Sequence, residues 1–192
     1  MTRSLMRAHS RPRFLQGPRL YLSPLEETDL AGPYPAWLND ELACKGNSHH
    51  VYPYPVAKAA DFLRSISQTS EELVLAIVLN ESDKHIGNVA LSRIHPVYRT
   101  AEFAILLGDT EEWGKGYGRE AASLLVGHAF SALNLRRIAC GTFATNAAMC
   151  ALALALGMRQ EGVRRQAAYK DGAYVDVVEF GVLRQEFEAG SR

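Results

Sequence analysis

The sequence predicts an α/β protein: one mixed sheet of seven strands with helices on both faces. Three observations carry that prediction. Apolar segments 73–79, 85–94 and 101–107 follow one another across short polar connections at 80–84 and 96–100, the spacing of hairpins. A glycine-rich loop at 114–118 then opens an amphipathic segment, and strand-like and helix-like patterns alternate as far as Gly157. Two last strand candidates flank the turn Lys170-Asp171-Gly172-Ala173. Hairpins give antiparallel pairs and strand–helix–strand units give parallel ones, so the sheet is mixed.

The elements follow in order. Arg19-Leu20-Tyr21-Leu22 reads as the first strand, ended by Ser23-Pro24. Residues 26–46 hold short, proline-broken helices around Trp37-Leu38-Asn39-Asp40. Ser48 to Pro55 is a stiff aromatic loop, because each proline biases its neighbour away from helix. Residues 56–69 form a helix with Val56, Ala59, Ala60, Leu63 and Ile66 on one face. The three hairpin strands come next. The helix after the glycine loop runs to about Leu133, with Ala121, Leu124, Leu125, His128 and Ala129 as its stripe. Arg137–Phe143 is a strand, and Asn146–Leu156 is a buried helix stopped by Gly157. The final strands lie near 158–169 and 174–183.

Composition bounds the function. Lys and Arg total 21, as do Asp and Glu, among 192 residues, and 47% of the chain is apolar. That is ordinary globular composition and one domain's length. Zero net charge argues against a nucleic-acid binder. Five arginines and no acid fall in residues 1–19, so the remainder is net −5. Residues 1–17 are expected to be a disordered basic tail, 18–188 the domain, and 189–192 a second tail. The longest apolar run, Ala147–Leu156, is half a membrane span, so no membrane partner is expected. Cys44, Cys140 and Cys150 show no CxxC spacing. They read as reduced, buried thiols in a cytoplasmic protein, with no metal site.

The stretch Trp113-Gly114-Lys115-Gly116-Tyr117-Gly118-Arg119-Glu120-Ala121 carries the chemistry. Glycines let a ligand approach the backbone, and the helix start offers free N–H groups at the positive end of its dipole. Together they suit a phosphate or pyrophosphate. A P-loop string does not occur. Gly116-x-Gly118-x-x-Ala121 fits the dinucleotide pattern, but residues 138–142 lack the acid that pattern wants about 20 residues on. A third loop type, the acyl-CoA pyrophosphate loop Q/R-x-x-G-x-G/A, is matched by Trp113-x-x-Gly116-x-Gly118 but for its first residue.

The surrounding strings favour the third. Arg99–Ile105, Trp113–Ala121, Asn134–Ile138, the run from Asn146 to Gly162, and Lys170–Asp176 occur in that order. With them, residues 21–187 resemble the GNAT superfamily of N-acetyltransferases, in particular its ribosomal-protein and amino-sugar branch, where Trp commonly opens the loop. The resemblance implies an acetyltransferase fold whose sheet splays between the fourth and fifth strands. Acetyl-CoA would sit in the gap. Its pantetheine would pair with the strand near Leu106 and Leu107. Its pyrophosphate would rest on Gly114, Lys115, Gly116, Tyr117, Gly118 and Arg119. Asn146 matches the residue that contacts the pantetheine arm, although Asn is also a good N-cap.

The implied reaction is direct transfer: a neutral amine attacks the thioester carbonyl. Glu102 is the base candidate; its ordinary role would be to pair with Arg99 or Arg119. Many members carry a Tyr seven residues after the Asn to protonate the thiolate, but that position is Ala153 here. Tyr169 or solvent would have to replace it. His49, His50, Tyr52 and Trp37 are candidates for the acceptor wall. The acceptor is expected to be an amino sugar, free or nucleotide-linked, with a protein N-terminus or a polyamine as alternatives. A non-catalytic acetyl-CoA-binding module is the reading from another class. The expected assembly is a monomer or homodimer.

Overall fold

The computed structural model describes residues 11–190. The chain begins β1 (Leu15–Gln16), β2 (Leu20–Pro24), α1 (Tyr34–Trp37), α2 (Val56–Ser67), β3 (Leu73–Leu79), β4 (His85–His95) and β5 (Thr100–Leu107). It continues α3 (Tyr117–Ser131), β6 (Arg137–Phe143), α4 (Ala147–Ala155), β7 (Arg159–Lys170), β8 (Ala173–Leu183) and α5 (Arg184–Gly190). One sheet holds all eight strands in the order β1-β2-β3-β4-β5-β6-β8-β7. Every neighbouring pair is antiparallel except β5–β6, the one parallel pair. The mixed sheet of the sequence reading holds, with eight strands rather than seven.

The additional strand is β1. Leu15 pairs with Leu22 and Gln16 with Tyr21, so the chain joins the sheet before residue 18. Residues 11–17, assigned to a tail by composition, are therefore tied down, whereas 1–10 lie outside the described residues. Charge alone could not reveal that Arg11 has a buried partner. Its Nη1 and Nη2 donate to the two carboxylate oxygens of Asp29 at 2.6 and 2.7 Å. At the other end, the region assigned to a tail from 189 begins inside α5, whose Phe187 packs on Phe130 of α3 with ring centroids 5.4 Å apart.

The main core lies between one sheet face and α3. Leu75, Ile77, Val89, Leu91, Phe103 and Ile138 meet Ala121, Ala122, Leu125, Val126, Ala129 and Phe130. The helix thus buries a stripe turned toward Ala122, Val126 and Phe130, leaving Leu124 and His128 at its margin. A smaller core on the opposite face gathers Tyr34, Trp37, Leu38, Ala59 and Leu63, with Leu106 packed against it. The expectation that α4 is buried fails. Only Ala153 is enclosed, and Leu154 is 60% exposed. An all-apolar segment has no periodicity to say which face is covered, and one layer covers this one.

Asp29 anchors a buried ionic cluster beneath the smaller core. The Glu26 N–H donates to it at 2.8 Å, and His85 Nδ1 lies 3.2 Å from its Oδ1. Burial alone would raise its carboxyl pKa. The nearby His85 ring and the bonds from Arg11 overturn that and hold it at about 2, against an ordinary 3.8. A depressed carboxyl stabilises the fold above its unfolded pKa, and that stability is lost as pH falls through the folded value. Asp29→Asn should therefore cost about 2–4 kcal/mol at neutral pH, since it leaves the largely buried Arg11 guanidinium uncompensated. It should also flatten the loss of stability between pH 4 and 2. Denaturant melts of both proteins across that range check the result.

Candidate active site

The sheet opens where β5 meets β6. Thr100 pairs with Arg137, Ala101 with Ile138 and Glu102 with Ala139, and there the pairing stops. From Phe103 to Leu107, β5 has lost its neighbour on that side while still pairing with β4 on the other. A strand edge without a partner exposes N–H and C=O groups that an extended ligand can complete. The opening forms a cleft of about 1110 Å³ lined by Ala104, Ile105 and Leu106 on one lip and residues 139–143 on the other. Of the pantetheine candidates, Leu106 lines this cleft, whereas Leu107 packs into the main core.

The glycine loop stands at the upper end of that edge. Trp113 Nε1 donates to the Leu107 carbonyl at 2.8 Å and folds the loop over the strand end. Gly114 and Gly116 have φ of 75° and 83°, a region that disfavours side chains. Gly116 is the N-cap of α3 and supplies no side-chain cap, so the first-turn N–H groups are open to a ligand. A Cβ on Gly118 would approach Leu107 Cδ1 to 3.3 Å. Arg19 supports the loop from β2, with Nη1 on the Lys115 carbonyl at 2.8 Å and Nε on Glu120 at 2.7 Å. Its guanidinium also lies 4.9 Å from the centre of the Tyr117 ring. Lys115 bonds Glu112 at 2.8 Å, which raises the Lys115 pKa. What the loop offers an anion is therefore backbone N–H groups and the exposed Arg119 of the first turn.

Asn146 has both amide groups engaged. Its Oδ1 caps α4 by accepting from Met149 N at 3.1 Å, and its Nδ2 donates to the Gly46 carbonyl at 2.9 Å. It thus ties the 46–48 segment to the lip of the cleft. Ala153 is fully buried. Tyr169 is 62% exposed at the tip of the β7–β8 hairpin, against Tyr174, and does not line the cleft. The phenols that do are Tyr34 and Tyr54. Burial pushes both pKa values up and keeps both protonated.

Glu102 lies on the cleft face of β5, at the base of the splay. Its partner is Arg93, whose Nη1 donates to it at 2.7 Å, rather than Arg99 or Arg119. A second carboxylate was missed by the sequence reading. Glu179 on β8 pairs with Gly141, and its Oε2 lies 3.0 Å from where a Gly141 Cβ would sit. Arg164 Nε donates to it at 2.6 Å. The signal in the sequence was a glycine within a β6 otherwise free of turn residues, which marks a close approach.

The four acceptor-wall candidates separate. His49 lines the cleft, and its pKa is lowered by burial and by Lys58 and Lys170. His50 and Tyr52 instead line a small pocket of about 290 Å³ with Asn39, Val51 and Pro53. Trp37 is 7% exposed, edge-on to His85 with centroids 5.0 Å apart. It fills the space beside Gly108 and belongs to the smaller core. An aromatic beside prolines reads alike as platform or packing, and here packing won. Among the described residues no cluster of His, Cys, Asp or Glu could hold a metal. No helix among them is long and apolar enough to cross a membrane.

Comparison with known proteins gives a consistent set. A family model described as Acetyltransferase (GNAT) domain matches residues 19–159. The uncharacterised N-acetyltransferase p20 of Bacillus licheniformis is 29% identical over 167 residues, covering 85% of this chain and 90% of that protein. A spermidine N(1)-acetyltransferase of Vibrio cholerae is 29% identical over 111 residues, covering 57% of this chain and 64% of that protein. The crystal structure of a spermidine N-acetyltransferase from Vibrio cholerae in complex with CoA and spermine aligns at TM-score 0.82 and 22% identity. That alignment covers 90% of this chain and 99% of the other, and at that identity the likeness is one of fold.

Proposed function

The chain belongs to the GNAT acetyltransferase family, and from that premise we propose that its acceptor is a small amine bearing an oxygen-rich anionic group, foremost a nucleotide-linked amino sugar. The coarser activity follows from membership: an N-acetyltransferase with acetyl-CoA as cosubstrate. The observation that carries the acceptor reading is the charge pairing of the cleft. Each lining carboxylate already has a cation: Glu102 has Arg93, Glu179 has Arg164, and Asp61 has Arg64. Lys58 lines the cleft as well. The lining thus carries no excess of acid to draw a polycation, and Lys58, Arg93 and Arg164 offer donors to an anionic group.

The residues divide the reaction between them. The pyrophosphate rests on the open N–H groups at the start of α3, and the pantetheine extends the free edge of β5. Glu102 takes a proton from the acceptor ammonium. The freed amine forms a C–N bond at the thioester carbonyl, whose oxygen becomes an oxyanion beside the unpaired β5 N–H groups. As collapse breaks the C–S bond, the second proton of the former ammonium leaves the amide nitrogen through water for the departing thiolate, giving neutral amide and CoA thiol. With Ala153 in place of a tyrosine and Tyr169 outside the cleft, water protonates that thiolate.

A polyamine acceptor is the second reading, favoured by the names of the Vibrio cholerae relatives. Thiol release from acetyl-CoA separates the two. With UDP-glucosamine, glucosamine, spermidine and a peptide with a free N-terminus, kcat/KM should be highest for the sugar nucleotide. A preference for spermidine would overturn the acceptor reading, and CoA binding without thiol release from any amine would favour a sensing module.

A further inference from the structure

We infer that Asn88, held by the buried Asp29–His85 pair, determines acceptor specificity: its Nδ2 donates to an oxygen of the acceptor and disfavours polyamines. The inference rests on the acceptor reading above and adds the residue that enforces it. Asn88 is 8% exposed on β4 and lines the cleft. It pairs with Leu106, so it lies on the same sheet face as Glu102 and Ala104, the face roofed by Tyr34, Leu38 and Phe62. The glycine loop and α3 pack against the other face.

The orientation of the Asn88 amide is dictated by its neighbours. His85 Nε2 lies 2.9 Å from the Gly87 carbonyl and 2.9 Å from Asn88 Oδ1. A carbonyl can only accept, so Nε2 carries a hydrogen. Turning the amide over would set its NH₂ against that N–H. Oδ1 therefore faces the ring and Nδ2 faces the cleft, where it has no partner among the described residues. Asp29 Oδ1 lies 3.2 Å from Nδ1, out of hydrogen-bond alignment, and the edge of Trp37 packs against the ring. Arg11 holds Asp29 through two bonds. A chain of buried groups thus presents one rigid donor to the acceptor half of the cleft.

A fixed NH₂ can only donate, and so can an ammonium. A polyamine chain passing Asn88 meets like polarity, whereas a phosphate, hydroxyl or carbonyl oxygen is matched. Asn88 sits opposite Leu106, four residues from Glu102 along β5. At about 3.3 Å per residue the two are roughly 13 Å apart. An acceptor that reaches both has its amine at one end and an oxygen group about that far away, which suits a sugar nucleotide better than a free sugar.

Asn88→Asp tests this by placing an acceptor where the donor was, while the His85 N–H keeps its partner. We expect kcat/KM for UDP-glucosamine to fall about 10- to 100-fold, with KM carrying most of the change. The value for spermidine should hold or rise, and acetyl-CoA affinity by calorimetry should not change. His85→Leu frees the amide and should erode the same preference, while His85→Gln, which can still donate to Oδ1, should restore it. The wild-type ranking tests the acceptor reading and the variant-to-wild-type ratio tests Asn88. If wild type prefers spermidine, Asn88→Asp should raise that activity further. A ratio of the two substrates left unchanged in a folded, acetyl-CoA-binding Asn88→Asp overturns the role.

Discussion

Gly118→Asp should abolish measurable acetyl-CoA binding while leaving a folded protein. Gly118 lies in the first turn of α3, two residues after the left-handed Gly116 cap. A carboxylate there would occupy the place proposed for the pyrophosphate and repel it at short range, where the proposed attraction comes from N–H groups and the helix dipole. The fold should tolerate the change. The new Cβ meets only the ends of two flexible side chains, Leu107 Cδ1 at 3.3 Å and Ile105 Cδ1 at 3.8 Å. An acid in a helix's first turn is itself favourable when no ligand is bound. We expect at least a 100-fold loss of affinity by calorimetry and a Tm within about 3 °C of wild type. Gly116→Asp is the contrast. It forces a side chain onto φ of 83°, and stability should fall along with affinity. Unchanged affinity in folded Gly118→Asp would move the pyrophosphate off this loop.

The sequence disclosed those parts of the site that depend on backbone. Alternating glycines before a helix have few uses, so the loop was legible, and hairpin spacing joined β3, β4 and β5; the splay and the strand beside it came from the family resemblance alone. Acceptor groups were not, because they depend on which face of a strand or loop turns inward. Asn88 lies on a strand whose alternation is interrupted by Gly87 and Ala90, and Glu179 was marked only indirectly, by the glycine it pairs with on β6. His49 and His50 are adjacent in sequence yet line different pockets, and His50 adopts a left-handed φ of 64° that no pattern in the sequence announced. Trp37 shows the opposite error. Its surroundings suggested a platform, but Gly108 leaves a gap of its size in the smaller core. The β1 strand escaped notice because two residues carry no periodicity, and its anchor is an ion pair between positions 11 and 29.

The proton transfer supplies the other large effect. An acceptor amine is mostly protonated at neutral pH, so the rate should rise with pH until base and amine are both free. Glu102→Gln preserves shape and removes basicity. Positioned general-base catalysis contributes about 10²–10⁴-fold, and kcat/KM should fall within that range with acetyl-CoA binding barely changed. The deficit should shrink at high pH, where the acceptor arrives deprotonated. Arg93 sharpens the test. Its guanidinium bonds Glu102 at 2.7 Å, yet the pair is open to solvent, with the Glu102 side chain 46% exposed. Such a pair is worth at most about 1 kcal/mol, so a purely structural Glu102 predicts a small drop in Tm and near-normal turnover. A catalytic Glu102 predicts the reverse: an almost unchanged Tm and a displaced pH–rate profile. Near-normal turnover at pH 7 would remove the base assignment. It would pass the role to His49, which lines the same cleft and is kept neutral there by burial and by the nearby lysines.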